Sequence, residues 1–210
     1  MLPIRRRLLQ SAAALLAAAT LALPAYAADK ITDKAAAQPA HHANPRVKFV
    51  TSAGDFVVEL YPDKAPKTVA NFLQYVRDKH YDGTIFHRVI KTFMIQGGGY
   101  DINYQEKPAG APVKNEADNG LKNTVYTLAM ARKPDPDSAT AQFFINVADN
   151  GFLDYTAPTP QGWGYAVFGK VVSGQGAVDK IRDMPTGAGG PFPTDVPQTP
   201  AVIQSVTLIK

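Results

Sequence analysis

The stretch RVKFVTSAGDFVVELYP, residues 46–62, places Val47, Phe49 and Thr51 before a Ser-Ala-Gly-Asp turn and Phe56, Val58 and Leu60 after it. Alternation with a period of two turns one face of each half toward a core. A turn containing glycine folds the halves together as an antiparallel hairpin. Short apolar runs divided by turn residues then recur at 85–90, 93–96, 126–131, 142–147 and 165–172, and AVIQSVTLIK closes the chain. Only two segments carry helical spacing. In the first, Pro66 suits a first helical turn, Val69, Phe72, Leu73 and Val76 recur on one face, and Gly83 lies beyond the end. In the second, GQGAVDKIRDM, Val178 and Ile181 point inward. The Pro/Gly-rich stretch PTGAGGPFPTDVPQTP between this segment and the last strand reads as a loop. Many short strands with two helices predict a mainly β fold, a closed antiparallel barrel whose first and last strands pair and so remove the sheet edges.

The first 27 residues read differently. Arg5, Arg6 and Arg7 precede an Ala/Leu-rich run that ends at AYA, Ala25 to Ala27. This is the pattern of a secretory signal peptide, with cleavage expected after Ala27 and no stable membrane insertion afterwards. RRRLLQ loosely resembles a twin-arginine signal, so the export route stays open. Residues 28–45 lack a hydrophobic period and read as a flexible linker; His41 and His42 within it form no closed ligand set. The domain is expected over 46–210.

Export alters the charge argument. The precursor has 22 Lys+Arg and 18 Asp+Glu, but three arginines leave with the signal, so the mature chain stands at +1 with no basic run to bind nucleic acid. The chain has no cysteine, hence no disulfide, thiol nucleophile or thiolate metal site. A thiol-free exported chain points to a bacterial periplasm.

Familiar catalytic arrangements are hard to assemble. No serine sits in a G-x-S-x-G elbow, and His80 and His87 do not form a metal spacing. His87 reads as a structural hydrogen-bonding residue. Gly97 to Gly99 lack the Gly-Lys-Ser/Thr of a phosphate loop and read as a turn, as does GQG at Gly174. Asp135 and Asp137 are too few acids for a calcium loop. What remains is Arg88, set in the apolar stretch FHRVIKTFMIQGG with Gln96 eight residues on. It is either half of a surface salt bridge on a strand or a guanidinium at the edge of an apolar pocket. Three further segments supply apolar side chains with sparse polar ones: Gln142 and Phe144, Phe152 and Leu153, and Tyr165.

In this order, FHRVIKTFMIQGG, AMAR…SATAQFFI, FLD and YAVFGKV resemble the cyclophilin-type peptidyl-prolyl isomerases, and most closely their exported bacterial branch. The resemblance runs from about Val47 to the end of the chain. It implies an eight-stranded antiparallel barrel capped by two helices, with the active site on an outer face. It implies that Arg88 is catalytic, that Phe93, Met94, Phe144 and Leu153 hold the proline, and that Gln96 contacts the substrate backbone. Ala131, Arg132 and Gln142 match the rim for residues before proline. Phe152 and Tyr165 belong to the same surface but depart from the pattern, standing where many members have Trp and His. Members that bind the cyclic peptide cyclosporin tightly resemble one another in having that Trp. The segment from Arg132 to Ala141 also differs in length and charge from the common eukaryotic form.

The function so implied is cis–trans isomerisation of X–Pro bonds during folding of exported proteins, without cofactor or metal. Partners would be proline-containing peptides and unfolded exported chains, and a monomer is expected. Two other readings stay open: a module that holds Pro-containing segments without turnover, and a structural barrel with Arg88 in a salt bridge.

Overall fold

A computed structural model describes residues 43–209. The expected signal peptide and most of the expected linker, His41 and His42 included, lie outside the described residues. The chain is already bonded to the barrel at Pro45, whose carbonyl accepts the Leu60 amide at 2.9 Å.

Strand β1 (Arg46–Thr51) and strand β2 (Gly54–Leu60) form the expected hairpin, with Val47, Phe49, Phe56, Val58 and Leu60 fully inside. Helix α1 (Pro66–Arg77) follows, with proline at its start and Thr68, Val69, Phe72 and Val76 buried. No side chain of its own caps it. The Glu116 carboxylate instead accepts the Lys67 and Thr68 amides at 3.1 and 2.8 Å, satisfying donors that the first helical turn leaves free.

Strands β3 (Thr84–Ile90) and β4 (Met94–Asp101) form the next antiparallel pair. Strands β5 (Thr127–Met130), β6 (Phe143–Asn146) and β7 (Val167–Ser173) follow, then helix α2 (Gln175–Arg182), with Val178 and Ile181 fully buried. Strands β8 (Thr186–Gly189) and β9 (Phe192–Pro197) pair only with each other. They correct the expectation of a loop here. Their runs are too short and too rich in Gly and Pro to show alternation, yet the backbone still pairs as a hairpin laid against β3. Strand β10 (Val202–Ile209) closes the sheet.

Eight strands form a closed barrel in the order β1-β10-β3-β4-β6-β5-β7-β2. As expected, β1 pairs with the C-terminal strand, Val47 opposite Leu208 and Phe49 opposite Val206. The interior is aromatic. Phe49 and Phe56 stack at 4.6 Å, and Phe72 of α1 meets Tyr81, Phe143 and Phe168 across the core. Rings of this size in mutual contact fill the barrel as a packed core and fix its outer faces in space.

Candidate active site

Arg88 owes its direction to a break in strand pairing. Phe86 pairs with Gly97, but Arg88 pairs with Gln96, so β3 carries one more residue than β4 over this step. That is a β-bulge, a device that re-aims side chains. Phe86 and Val89 both enter the core, although three residues apart on an unbroken strand they would face opposite sides. Between them His87 and Arg88 are turned outward. His87 is covered, at 3 % exposure, and Arg88 is exposed. Among the described residues Arg88 makes no ion pair and no side-chain hydrogen bond; the six ion pairs present lie elsewhere. The salt-bridge reading of Arg88 therefore has no partner there.

The triple glycine is not a turn, as expected from sequence, but part of β4. Gly98 takes φ +84°, a conformation that favours glycine. A Cβ on Gly99 would lie 2.5 Å from the Gln142 side chain. The bare backbone at Gly99 thus lets Gln142 lie flat over β4, where its Oε1 accepts a hydrogen bond from Gln96 Nε2 at 3.0 Å.

Arg88, Phe93, Met94, Gln96, Ala131, Arg132, Phe144, Leu153 and Tyr165 line one depression of about 280 Å3. Its floor is a small apolar cluster, distinct from the barrel core, in which Met94, Phe144 and Leu153 are buried and Phe93 and Tyr165 half-buried. Two of the expected residues stand beside it. Gln142 lines a neighbouring depression that shares Gln96, Ala131 and Arg132 with the first. Phe152 stacks on Phe93 at 5.5 Å and is 75 % exposed, forming a shelf at the lip. Arg132 is held in place: its Nε donates to the Gly164 carbonyl at 2.9 Å, and its guanidinium lies 4.6 Å above the Tyr165 ring. Tyr165 in turn meets Phe144 edge to face at 5.6 Å.

A set of residues that sequence reasoning missed braces this wall from behind. Asn146, fully buried, donates to Asn123 Oδ1 at 3.2 Å and to Thr127 Oγ1 at 2.9 Å, and its own Oδ1 accepts from Asn150 at 2.7 Å. Asn150 also donates to the Phe93 carbonyl at 2.8 Å, and Asn123 to the Leu153 carbonyl at 3.2 Å. Buried amides of this kind are costly alone and stiffening when mutually satisfied. Here they tie the backbones of Phe93 and Leu153 to one network.

His87 is buried beside the site; its hydrogen bonding is limited to the Ile85 backbone, and its Nδ1 has no hydrogen-bond partner. Its ring stacks with Phe192 of β9 at 5.3 Å and meets the edge of Tyr100 at 4.7 Å. Burial pushes its pKa down to about 4; the Ile85 backbone opposes the change and the Arg88 charge adds to it. It is a neutral ring under a hairpin. A second, larger depression of about 560 Å3 lies beside the end of α1, where His80 Nε2 sits 3.2 Å from the Gly98 carbonyl and Lys107 donates to backbone carbonyls. Among the described residues no cluster of His, Cys, Asp and Glu could hold a metal ion.

The cyclophilin type peptidyl-prolyl cis-trans isomerase family model matches residues 46–208. A Streptomyces antibioticus protein, peptidyl-prolyl cis-trans isomerase cyp18, is 60% identical over 163 residues, covering 78% of this chain and 98% of its own. Peptidyl-prolyl cis-trans isomerase B of Escherichia coli is 55% identical over 162 residues, covering 77% and 98%. A crystal structure of a Cryptosporidium parvum cyclophilin type isomerase, obtained in the presence of the dipeptide Ala-Pro, matches with a TM-score of 0.63 at 27% identity, covering 79% of this chain and 99% of that one. With the barrel order, the match across nearly all of the described residues and relatives at this identity, the chain belongs to the cyclophilin-type peptidyl-prolyl cis-trans isomerases.

Proposed function

We propose that Arg88 is the catalytic group and that the depression beside it takes the proline of an X–Pro segment. The observation that carries this reading is an exposed guanidinium, unpaired among the described residues, turned by a bulge to the edge of an apolar pocket. An X–Pro bond turns slowly because C–N resonance sets a barrier of about 18–20 kcal/mol. Twisting removes the nitrogen from conjugation and leaves it a localised lone pair. A donor that meets this lone pair binds the twisted amide better than either planar isomer, which is the requirement for catalysis. The guanidinium of an arginine presents several N–H donors in a rigid fork.

Phe93, Met94, Phe144 and Leu153 hold the pyrrolidine ring by apolar contact. Gln96, fixed by Gln142, hydrogen-bonds the substrate backbone. Ala131 and the pinned Arg132 form the rim for residues before the proline, with Tyr165 and the Phe152 shelf at its sides. No step needs a nucleophile, and the proton inventory of the substrate does not change. The Ala-Pro dipeptide present with the Cryptosporidium parvum relative supports a proline ligand for this site.

The N-terminal pattern supports a role in folding of exported proteins in a periplasm, with the mature chain beginning at Ala28 after cleavage. Two experiments test the whole reading. The isolated protein should accelerate isomerisation of a short Ala-Pro peptide, and Arg88→Ala should abolish most of that acceleration. Binding of the peptide without turnover by the unmodified protein would instead mean a holding module. Mass spectrometry of exported material should find Ala28 first; a retained N-terminus in the membrane fraction would overturn the export reading.

A further inference from the structure

We infer that His87 is a positioning residue for Arg88, and that the β8–β9 hairpin works through it, with Phe192 pressing the imidazole ring into the bulge. The inference rests on Arg88 being the catalytic group. The bulge is what turns Arg88 toward the pocket, and His87 lies within it, between the core residue Phe86 and Arg88. Hydrogen bonding accounts for little of the imidazole's burial: it reaches the Ile85 backbone at most, and Nδ1 meets no partner. What surrounds the ring is aromatic. Phe192 stacks on it, Tyr100 meets it by an edge, and Tyr100 and Phe192 meet each other at 5.1 Å and 89°. Tyr104 adds a fourth ring 6.5 Å from Phe192.

The hairpin is shaped to allow this. Gly190 takes φ +50°, and a Cβ there would collide with the Tyr104 ring at 2.3 Å. Bare backbone at the hairpin tip therefore lets Tyr104 close the cage around Phe192. Neither His87 nor Phe192 lines the proline depression. Their effect reaches the substrate only through the direction of Arg88, so it falls on the twisted state and not on peptide binding.

The experiment compares His87→Ala, His87→Phe, Phe192→Ala and the His87→Ala/Phe192→Ala pair on an Ala-Pro peptide, with Arg88→Ala as reference. Misplacing a catalytic group by about 1 Å costs on the order of 10²-fold. His87→Ala and Phe192→Ala should each lower kcat by about 10- to 100-fold with KM within about twofold. Residues acting through one contact are non-additive, so the double variant should match the single ones. His87→Phe keeps the ring without its unpartnered nitrogen and should retain kcat within about threefold. The Nε–H resonance of Arg88 should be a single sharp signal in the unmodified protein, broaden or split in the Ala variants, and stay sharp in His87→Phe.

Should His87→Ala fail to fold, Phe192→Ala, on the hairpin, carries the test with the same readouts. Unmodified kcat in a folded Phe192→Ala protein, with Arg88→Ala inactive, would overturn the inference and leave the role of Arg88 standing. So would a kcat loss in His87→Phe equal to that in His87→Ala. An active Arg88→Ala protein would overturn both.

Discussion

The two sides of the site are held by opposite means. The apolar wall is braced from inside by Asn123, Asn146 and Asn150, whose amides satisfy one another and grip the carbonyls of Phe93 and Leu153. The guanidinium side has no such bracing. Arg88 stands on a bulge whose extra residue, His87, is held by ring contacts and carries an orphan nitrogen. The difference suits the roles proposed for the two sides. A pocket for a ring needs fixed shape, and satisfied buried polar groups supply rigidity. A donor that meets a lone pair formed only in passing needs a free charge correctly aimed, and any carboxylate that fixed it would also quench it. Changes on the wall should therefore move stability and KM together. Changes around Arg88 should move kcat and leave KM.

The largest break in this contrast is expected on the wall. Asn146→Ala leaves the amide oxygen of Asn123 without its donor and one amide hydrogen of Asn150 without its acceptor, about 1–3 kcal/mol for each buried group. Denaturant unfolding should show that loss, and KM for a Pro peptide should rise with it. A fully stable variant with altered kcat alone would put the network on the wrong side of the comparison.

The next effect belongs to His87 and shows itself with pH. Its pKa is about 4 in the fold against an ordinary 6.5, with Arg88 and Tyr100 as its neighbours. The unfolded chain therefore takes up a proton between pH 6.5 and 4 that the folded protein refuses. Stability falls as pH drops through that window, by at most about 3 kcal/mol at its lower end, and is unaffected by this group above it. His80, also lowered by burial, acts in the same direction. Subtracting the curve of His87→Phe isolates the contribution of His87. A variant curve parallel to the unmodified one would contradict the assignment of a neutral buried ring.

The smallest effect concerns the shelf. Phe152 offers an apolar face without the N–H that an indole would provide. Trp163, close in sequence, meets Tyr155 at 5.3 Å and is committed there. Phe152→Trp should tighten inhibition by cyclosporin about 5- to 150-fold, one restored hydrogen bond at about 1–3 kcal/mol. Turnover of a short peptide should hardly change. Equal inhibition of both proteins would remove the shelf residue from the argument.

Much of the barrel was legible because its periodicities are local. The period of two in β1 and β2 and the spacing of Val69, Phe72 and Val76 need no tertiary information. The pocket residues were legible through the resemblance of four short motifs, and the structure brings nine of them around one depression, with Gln142 and Phe152 beside it. What stayed hidden depends on register or on distant partners. The bulge exists only in the pairing of β3 with β4, so neither the outward turn of Arg88 nor the covered ring of His87 shows in FHR itself. The bracing amides are spread over 123–150 and meet only once β5, β6 and the turn before Leu153 are folded. The β8–β9 hairpin lacks alternation because Gly and Pro fill it, and its meaning rests on one ring, Phe192, finding another.

Proposed as the catalytic group, Arg88 should act on the twisted amide and not on binding. The direct measurement is exchange spectroscopy of an Ala-Pro peptide on the unmodified protein and on Arg88→Ala, reading the dissociation constant and the on-enzyme cis–trans rate from the same sample. Arg88→Ala should keep a dissociation constant within about threefold of the unmodified value and show an exchange rate lower by about 10²–10³, the scale for removing one preorganised donor. An undiminished exchange rate in the folded variant, or a loss carried entirely by the dissociation constant, would contradict this role.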